Sequence, residues 1–321
     1  MALDCAAETE RIAASLRAYL QKNRRRGLVL GLSGGIDSTV TAALAVRAVG
    51  AERVFGLHMP ERQSEDATLV LSRTVAQWLK IPDVLEEITP ILEAAGFFTR
   101  YAAAARKVIP EFNDQWKSKV VIHAIGGAQS FSYFSLVGQS PDGRTVTERM
   151  PLEAYLEIVA ATNFKQRTRK MLEYYHADRL NFAVAGTPNR LEYDQGFFVK
   201  NGDGAADVKP IAHLYKTQVY RLAEYLGVPQ EIRQRPPTTD TYSLPQGQDE
   251  FYFALPYHQM DLCLYGKNNG LTAGAVAAAA HLTVETVERV WADIDRKRAT
   301  TRYLHLKPSL VREVPEVSAL A

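Results

Sequence analysis

The sequence predicts an α/β fold, a doubly wound parallel sheet with helices on both faces. Two observations support this prediction. Short apolar runs typical of buried strands alternate with helical stretches through the first part of the chain, and such alternation indicates parallel strands joined by helices. After a long helical stretch in the middle of the chain, the buried-strand pattern returns in "LNFAVAGTPN", which adds a further strand to the same sheet.

The first elements follow from spacing and from their end signals. Apolar Ile12, Leu16 and Leu20 recur at helical spacing, so the N-terminus is predicted to form an amphipathic helix. "GLVLGLS" is a buried strand, and "STVTAALAVRAVG" is a helix that ends at Gly50. A second strand, a second helix and a short third strand are predicted in "RVFGLHMP", "ATLVLSRTVAQWLKIP" and "DVLEEITP".

The alternation stops after the third strand. "GFFTRYAAAARKVIPEF" looks helical, and "SYFSLVGQSPDGRTVTERM" looks like a hairpin that turns at Pro141-Asp142-Gly143. We interpret about 96–150 as an insertion that contains this hairpin. A long helix is expected from about Leu152 to Tyr175.

The rest of the chain is predicted to be mainly helical. "LYKTQVYRLAEYLG" is a helix that ends at Gly227 and Pro229, and about 256–321 is a region of short helices and loops. We interpret 1–321 as one domain.

Composition excludes several classes of function. The chain has 321 residues, 38 Lys plus Arg against 36 Asp plus Glu, and a net charge of +2, so neither nucleic acid nor a membrane surface is an expected partner. "LTAGAVAAAAHLTVETVERVWADIDRKR" resembles a helix-turn-helix, but the balanced charge argues against DNA binding. The N-terminus lacks the order of a signal peptide, and the two cysteines have no metal-ligand spacing, which together predict a cytoplasmic location.

The loop between the first strand and its helix carries the strongest chemical signal. Ser33-Gly34-Gly35 would expose backbone N–H groups at a helix N-terminus, an arrangement that binds phosphate. Asp37 would repel a phosphate unless a cation lay between them, so its presence suggests Mg²⁺. No lysine follows the glycines, which separates this loop from the P-loop of other nucleotide-binding proteins.

The string S-G-G-I-D-S resembles the pyrophosphate loop of the ATP pyrophosphatase superfamily. "NFKQRTRKMLEYY", followed by "GTPNRLEYDQGFFVKNGDGAADVKPIAHLYKTQVYRLAEYLGVP", is similar to the ammonia-dependent NAD synthetases. This similarity covers most of the chain from Gly31 to about Asp261 and keeps the order of the motifs. It implies the adenine nucleotide alpha hydrolase-like version of the doubly wound fold.

The resemblance also implies roles for individual residues. Asp37 and Glu192 match the family's Mg²⁺ ligands, and Asp37 and Lys216 would be the catalytic residues. Arg167, Lys200 and Asp207 match residues that bind the acid substrate. The ATP-binding residues would be Gly31, Ser33, Gly34, Gly35, Asp37, Ser38, Arg62, Thr187, Lys216 and Thr238.

The implied reaction is an ATP-dependent amide synthesis in two steps. A substrate carboxylate, expected to be that of deamido-NAD, attacks the α-phosphorus of ATP and releases pyrophosphate. Ammonia then displaces AMP from the acyl-adenylate and leaves NAD. Free ammonia is the expected donor, with a separate glutaminase subunit as the alternative, and a homodimer is expected by resemblance.

Three departures from the family pattern all concern the side of the acid substrate. Gln166 stands where the family has alanine, the stretch from Gly96 to Met150 is longer, and "TTRYLHLKPSL" replaces a His-Lys-Arg motif. These departures suggest a divergent member of the family. Two alternatives therefore stay open at this point: the same chemistry on another carboxylic acid, or a protein of this fold that binds adenine nucleotides without catalysis.

Overall fold

The computed structural model describes residues 1–124, 132–236, 241–247, 252–253 and 255–318. Four parallel strands form the central sheet in the order β3-β2-β1-β7. They are β1 (Leu28–Gly31), β2 (Val54–His58), β3 (Asp83–Leu85) and β7 (Ala183–Val184). β1 therefore lies between the strand that follows it and the strand that returns late in the chain, which is the place where open α/β sheets bind their ligands.

Helices cover both faces of this sheet, so the predicted fold class is confirmed. Along β1, Leu28 and Leu30 belong to one apolar cluster and Val29 to another, because successive side chains of a strand point to opposite faces. The first cluster includes residues of α1 (Cys5–Lys22), α2 (Ile36–Val49), α3 (Asp66–Leu79) and α8 (Lys216–Tyr225). The second includes residues of α4 (Thr89–Ala94), α5 (Phe97–Arg106) and α6 (Leu152–Leu180).

The predicted insertion contains a second sheet of three antiparallel strands. These are β4 (Lys117–Ala124), β5 (Ser132–Gln139) and β6 (Thr145–Arg149). The turn between β5 and β6 is the predicted one, with Gly143 at a φ of 88° and the Ser140 amide donating to the Arg144 carbonyl.

The sequence interpretation of this region missed β4. Its inward side is formed by Ser118 and Val120, both buried. A serine at an inward position hides the alternation of apolar and polar residues by which strands are recognised.

The remaining elements complete the helical C-terminal part. α6 continues five residues beyond the predicted end and stops at Asn181, which has a left-handed backbone with a φ of 55°. The others are α7 (Arg190–Gln195), α9 (Gln230–Gln234), α10 (Tyr257–Asn268), α11 (Ala273–Ala280), α12 (Val284–Thr301) and α13 (Pro315–Ser318), with 3₁₀ turns at Ala51–Arg53 and Arg302–His305. No helix in the described ranges is both long enough and apolar enough to cross a bilayer.

The pair of helices that resembled a DNA-binding motif packs into the body of the protein. Val276 of α11 and Val287, Val290 and Ile294 of α12 share one buried cluster with α10. The final two turns of α12 then reach the cavity described below.

Candidate active site

A cavity of about 840 Å³ lies at the carboxyl ends of β1 and β2. One wall is α6, which contributes residues from Tyr155 to Glu173, a length of about 27 Å along the helix axis. The loop from β1 to α2 faces the C-terminal half of that wall, and the second sheet faces its N-terminal half through Ile122 and Phe134. The cavity is therefore elongated, with a polar end at the glycine loop and a more apolar end at the insertion.

The glycine loop is held in one shape by its own hydroxyl groups. The Ser33 and Ser38 Oγ atoms lie 3.0 Å apart, and the Gly35 amide donates to Ser33 Oγ over 3.3 Å. The Ser38 and Thr39 hydroxyls donate to the Gly35 carbonyl over 3.1 and 2.8 Å. Because the first amides of α2 have no acceptor within the helix, the loop presents N–H donors that an anion could use.

Gly34 has a different part in this loop from the one predicted. It is not among the described residues that line the cavity, whereas Gly31, Ser33, Gly35 and Ser38 all line it. Gly34 has a φ of 68°, and a Cβ atom there would lie 2.8 Å from the Leu71 Cβ atom of α3. Its glycine is therefore needed for the close approach of the loop to α3.

The predicted metal ligands and the predicted catalytic lysine lie together at the polar end. Lys216 Nζ makes an ion pair with Asp37 Oδ2, and the Asn189 side-chain amide donates to Asp37 Oδ1 over 3.1 Å. Glu192 Oε2 accepts the Asn189 backbone amide over 3.0 Å. Asn189 thus connects two carboxylates that are far apart in the sequence.

Electrostatics keep Lys216 charged although its side chain is 2% exposed. Burial acts to lower the pKa of Lys216, but the charges of Asp37 and Glu192 outweigh it and raise the pKa above its ordinary value. The result is a fixed positive charge beside the glycine loop, where negative charge on a phosphate could be stabilised.

The backbone of Lys216 is fixed from α10. Both carboxylate oxygens of Asp261 accept amides from the first turn of α8, those of Lys216 over 3.2 Å and Thr217 over 2.7 Å. Asp261 is fully buried, and burial raises its pKa to about 6 against the opposing effect of these hydrogen bonds. An acid on another helix therefore caps the helix that carries the lysine.

Of the residues predicted to bind ATP, Thr187 lines the cavity, but Arg62 does not lie among the described lining residues. The Arg62 guanidinium is 3.4 Å from the centre of the Phe98 ring and 3.4 Å from Glu93 Oε1. Its side chain is directed towards α4 and α5 because these groups hold it there. Thr238 lies outside the described residues.

The three residues predicted to bind the acid substrate also lie outside the described lining. Arg167 is on the exposed face of α6 and donates to the Lys200 carbonyl over 3.3 Å. The Lys200 ammonium donates to the Tyr303 carbonyl over 2.8 Å. Asp207 accepts the Val184 amide over 2.7 Å and so holds the end of β7. In the single chain these side chains have structural partners instead of facing the cavity.

Sequence reasoning missed several charged residues that do face the cavity. On α6 they are Lys165, Arg169, Lys170 and Glu173, and on α12 they are Asp293, Arg296 and Lys297. Lys170 Nζ lies 2.5 Å from Glu173 Oε2, with both side chains nearly buried. The sequence did contain a signal for the residues of α6. Charged residues recur at helical spacing on a helix that has to pack against a sheet, which indicates a polar site on its inner side.

His58 also lines the cavity, although the sequence analysis did not select it as a site residue. Its side chain is 1% exposed, with Nδ1 at 2.8 Å from Ser72 Oγ and Nε2 at 2.9 Å from Asp83 Oδ2. Nothing in the sequence around it distinguishes it from the other histidines.

Similarity to known proteins agrees with this geometry. A sequence model of the family described as NAD synthase matches residues 8–125 and 140–302, and the unmatched gap falls inside the insertion. The chain is 62% identical over 315 residues to the NH(3)-dependent NAD(+) synthetase of Rhizobium meliloti (strain 1021), which covers 98% of this chain and 94% of that protein. It is 58% identical over 317 residues to the protein of the same name from Mesorhizobium japonicum, covering 98% and 99%.

Solved structures share the fold. The crystal structure of NAD+ synthetase from Burkholderia pseudomallei aligns with a TM-score of 0.57 at 26% identity, covering 93% of this chain and 91% of that one. NMN synthetase from Francisella tularensis aligns with a TM-score of 0.65 at 24% identity, covering 96% and 100%. The latter similarity concerns the fold alone.

The expectation of a divergent member is wrong, because relatives of the same name share about three fifths of their residues with this chain over nearly its whole length. The three departures on the acid-substrate side do not set the chain apart from these relatives as a whole. The chain therefore belongs to the NAD synthase family.

Proposed function

We propose that this protein converts deamido-NAD, ATP and ammonia into NAD+, AMP and pyrophosphate. The observation that carries the proposal is the convergence of Asp37, Glu192 and Lys216 on one cavity beside the glycine loop. The two relatives described above are both named NH(3)-dependent NAD(+) synthetases, which supports ammonia as the nitrogen donor and NAD+ as the product. Deamido-NAD is the carboxylic acid that corresponds to this amide. A carbon–nitrogen ligase of this kind needs little covalent chemistry from the protein, so positioning and charge are what the site must provide.

In the first step, a carboxylate oxygen of deamido-NAD attacks the α-phosphorus of ATP, and the bond to the pyrophosphate oxygen breaks. The loop amides near Gly35 and Ser38 would hold phosphate oxygens, and Lys216 would stabilise the charge that builds up on the phosphorus and on the leaving pyrophosphate. Thr187, at the end of the segment after β7, would contact the same nucleotide.

The donors at the polar end also fit Mg²⁺. Asp37 and Glu192 both line this cavity and would hold the ion through hard carboxylate oxygens, the ligands that Mg²⁺ prefers. Within the residues that the structure describes, no group of three or more His, Cys, Asp or Glu is placed to hold a metal by itself. When bound, the ion would neutralise phosphate charge, and Asp37 and Glu192 would orient it.

In the second step, the nitrogen of ammonia attacks the carbonyl carbon of the acyl-adenylate. The bond to the AMP oxygen breaks, and the nitrogen loses a proton, which leaves the amide. Water would hydrolyse the same intermediate, so the site has to exclude it. Residues of α6 and α12 line the cavity and would border the intermediate there.

The test is a purified assay with ATP, MgCl₂, ammonium chloride and deamido-NAD, in which NAD+, AMP and pyrophosphate are quantified by mass spectrometry. We expect the three products in equal amounts. AMP formation with another carboxylate but not with deamido-NAD would favour the alternative acid substrate. Binding of ATP with no AMP from any acid would favour the non-catalytic alternative.

We propose free ammonia as the nitrogen donor. Replacing ammonium chloride by glutamine in the same assay should abolish NAD+ formation. Equal rates with glutamine would contradict this proposal. A cytoplasmic location and a single domain stay predictions from the sequence.

We further propose a homodimer, formed through one exposed stripe of α6. Apolar side chains recur along it, with exposed fractions of 71% for Leu152, 55% for Leu156, 53% for Met171 and 59% for Tyr175. Exposed Arg167 lies four residues before Met171, on the same side of the helix. Arg167, Lys200 and Asp207 stay predicted contacts of the acid substrate. To test them, each residue is replaced by alanine and the KM for deamido-NAD is measured.

A further inference from the structure

A buried ion pair in the wall of the cavity has no part in the chemistry described above. Lys165 Nζ of α6 lies 2.7 Å from Glu61 Oε1, and the two side chains are 3% and 1% exposed. Lys165 lines the cavity midway between its polar and apolar ends. Removing two charges from water is costly, so a buried ion pair contributes little net stability. Its effect is to hold the two segments that carry the charges in a fixed relative position.

Glu61 organises the loop that follows β2. Its second carboxylate oxygen accepts the Gln63 amide over 3.0 Å. Its own amide donates to Ser64 Oγ over 3.2 Å, and its carbonyl accepts the Ser64 amide over 2.8 Å. The loop is thus a tight turn around one carboxylate, and its residues Pro60 and Ser64 line the cavity near the glycine loop.

Lys165 connects this turn to one other part of the wall, and Arg169 of the same helix adds a contact to the segment after β2. Its ammonium also donates to the Thr241 carbonyl over 3.2 Å, and Thr241 and Tyr242 both line the cavity. One helical turn further on, Arg169 Nε donates to the Met59 carbonyl over 3.1 Å. α6 therefore holds the segment that follows β2 at two points, through Lys165 and through Arg169. Lys165 also holds the chain at residue 241.

We propose that Lys165 is a positioning residue for the nucleotide. Through Glu61 it fixes the turn of residues 60–64, and through the Thr241 carbonyl it fixes a second segment, so that both keep their places in the wall of the cavity that the glycine loop also lines. The identity of the nucleotide as ATP rests on the proposed function. The contacts that support the positioning role are independent of the proposed function.

The experiment measures the Kd for α,β-methylene-ATP with Mg²⁺ by calorimetry, together with Tm, for the full chain. The variants are Lys165→Met, Glu61→Gln and the double variant. We expect Lys165→Met to weaken binding by about tenfold, because small displacements of binding groups are costly. The double variant removes both charges, so its Tm should recover towards that of the unmodified protein while its Kd stays weak.

Two control variants separate positioning from general stability. Lys107→Met removes ion pairs to Glu153 and Glu157 of the same helix on the protein surface. Ile158→Val removes a methyl group from a fully buried residue of α6 that does not line the cavity. Both should keep the Kd of the unmodified protein, the second despite a lower Tm.

Recovery of the Kd together with the Tm in the double variant would overturn the proposal, since the pair would then matter only for folding. An unchanged Kd in Lys165→Met would overturn it as well. The assay does not depend on turnover. Binding of the analogue by a protein that makes no NAD+ from ATP in the assay described above would contradict the proposed function and leave the role of Lys165 to be decided by these Kd values.

Discussion

Lys216 carries a charge that the folded chain keeps almost entirely out of water. Burial alone would lower its pKa, but Asp37 and Glu192 reverse the direction. The sequence could suggest the lysine by resemblance, but its pairing with Asp37 depends on the packing of α8 against α2. The proposed role of this side chain at a phosphate therefore requires no change of protonation.

Lys216→Met should reduce the rate of AMP formation by about 10²–10³-fold, because a fixed charge at the reacting phosphate is lost in a site of low polarity. Single-turnover measurement of AMP with saturating ATP would test this. Lys267→Met, which removes an ion pair with Asp295 outside the described cavity lining, is the control. A rate within about threefold of the unmodified protein would contradict the assigned role.

Arg62→Ala tests whether Arg62 binds ATP, as the sequence predicts, or lies away from the ATP site, as the structure indicates. The structure directs Arg62 to Phe98 and Glu93 and not to the cavity. We expect the KM for ATP to change by less than about twofold, since an exposed ion pair of this type contributes little. Steady-state kinetics at varied ATP would check this, and a KM raised tenfold or more would restore Arg62 to the ATP site.

Asp261 should make stability depend on pH. Its pKa is about 6 in the folded protein against an ordinary 3.8, so the folded state binds more protons than the unfolded state between these values. Stability contributed by this group is therefore present at low pH and lost as pH rises towards 6. Relative to Asp261→Asn, the free energy of unfolding should fall by about 2 kcal/mol between pH 4.5 and 7. Urea unfolding at both pH values tests this, and parallel pH profiles would contradict it.

At the scale of elements, the end of α7 and the end of α12 are joined at a glycine. Gly196 has a φ of 73°, and a Cβ atom on it would lie 2.3 Å from the Thr301 Cβ atom. The Thr301 hydroxyl also donates to the Gln195 carbonyl over 3.2 Å. This contact carries the final turn of α12, and with it Thr300 and Thr301, to the cavity.

Gly196→Ala should therefore destabilise the protein more than Gly143→Ala. Both glycines have positive φ, but a Cβ atom at Gly143 would have no neighbour within 4 Å. The control should lose about 1 kcal/mol from backbone strain alone, and Gly196→Ala should lose at least about 2 kcal/mol more because α12 has to move. Denaturant unfolding measures both, and equal losses would show that α12 adapts freely.

At the scale of the whole molecule, the cavity depends on elements that are distant in the chain. The glycine loop, α6, the segment after β7, α8 and α12 each supply part of its lining. The second sheet adds an apolar wall at the far end. Such a cavity forms only when the central sheet brings the carboxyl ends of its strands to one edge.

Leu156→Lys should convert the proposed dimer into a monomer, because a charge on the α6 stripe would be buried without a partner in the interface. Light scattering coupled to size exclusion gives the mass directly. Tyr225→Lys, at a residue of α8 that is 53% exposed and off the stripe, is the control and should stay dimeric. A dimer that survives Leu156→Lys would place the interface elsewhere.

The sequence by itself determined the parallel sheet and the glycine loop, and through its resemblance to a family it supplied Asp37, Glu192 and Lys216 as candidate site residues. These are local signals: buried runs, a strand-to-helix junction and motifs of fixed spacing. It could not determine that Gly34 packs on α3, that Arg62, Arg167, Lys200 and Asp207 turn away from the cavity, or that Lys165 and His58 turn towards it. Which way a side chain points depends on the groups packed around it, and those groups come from distant parts of the chain that meet only in the folded protein.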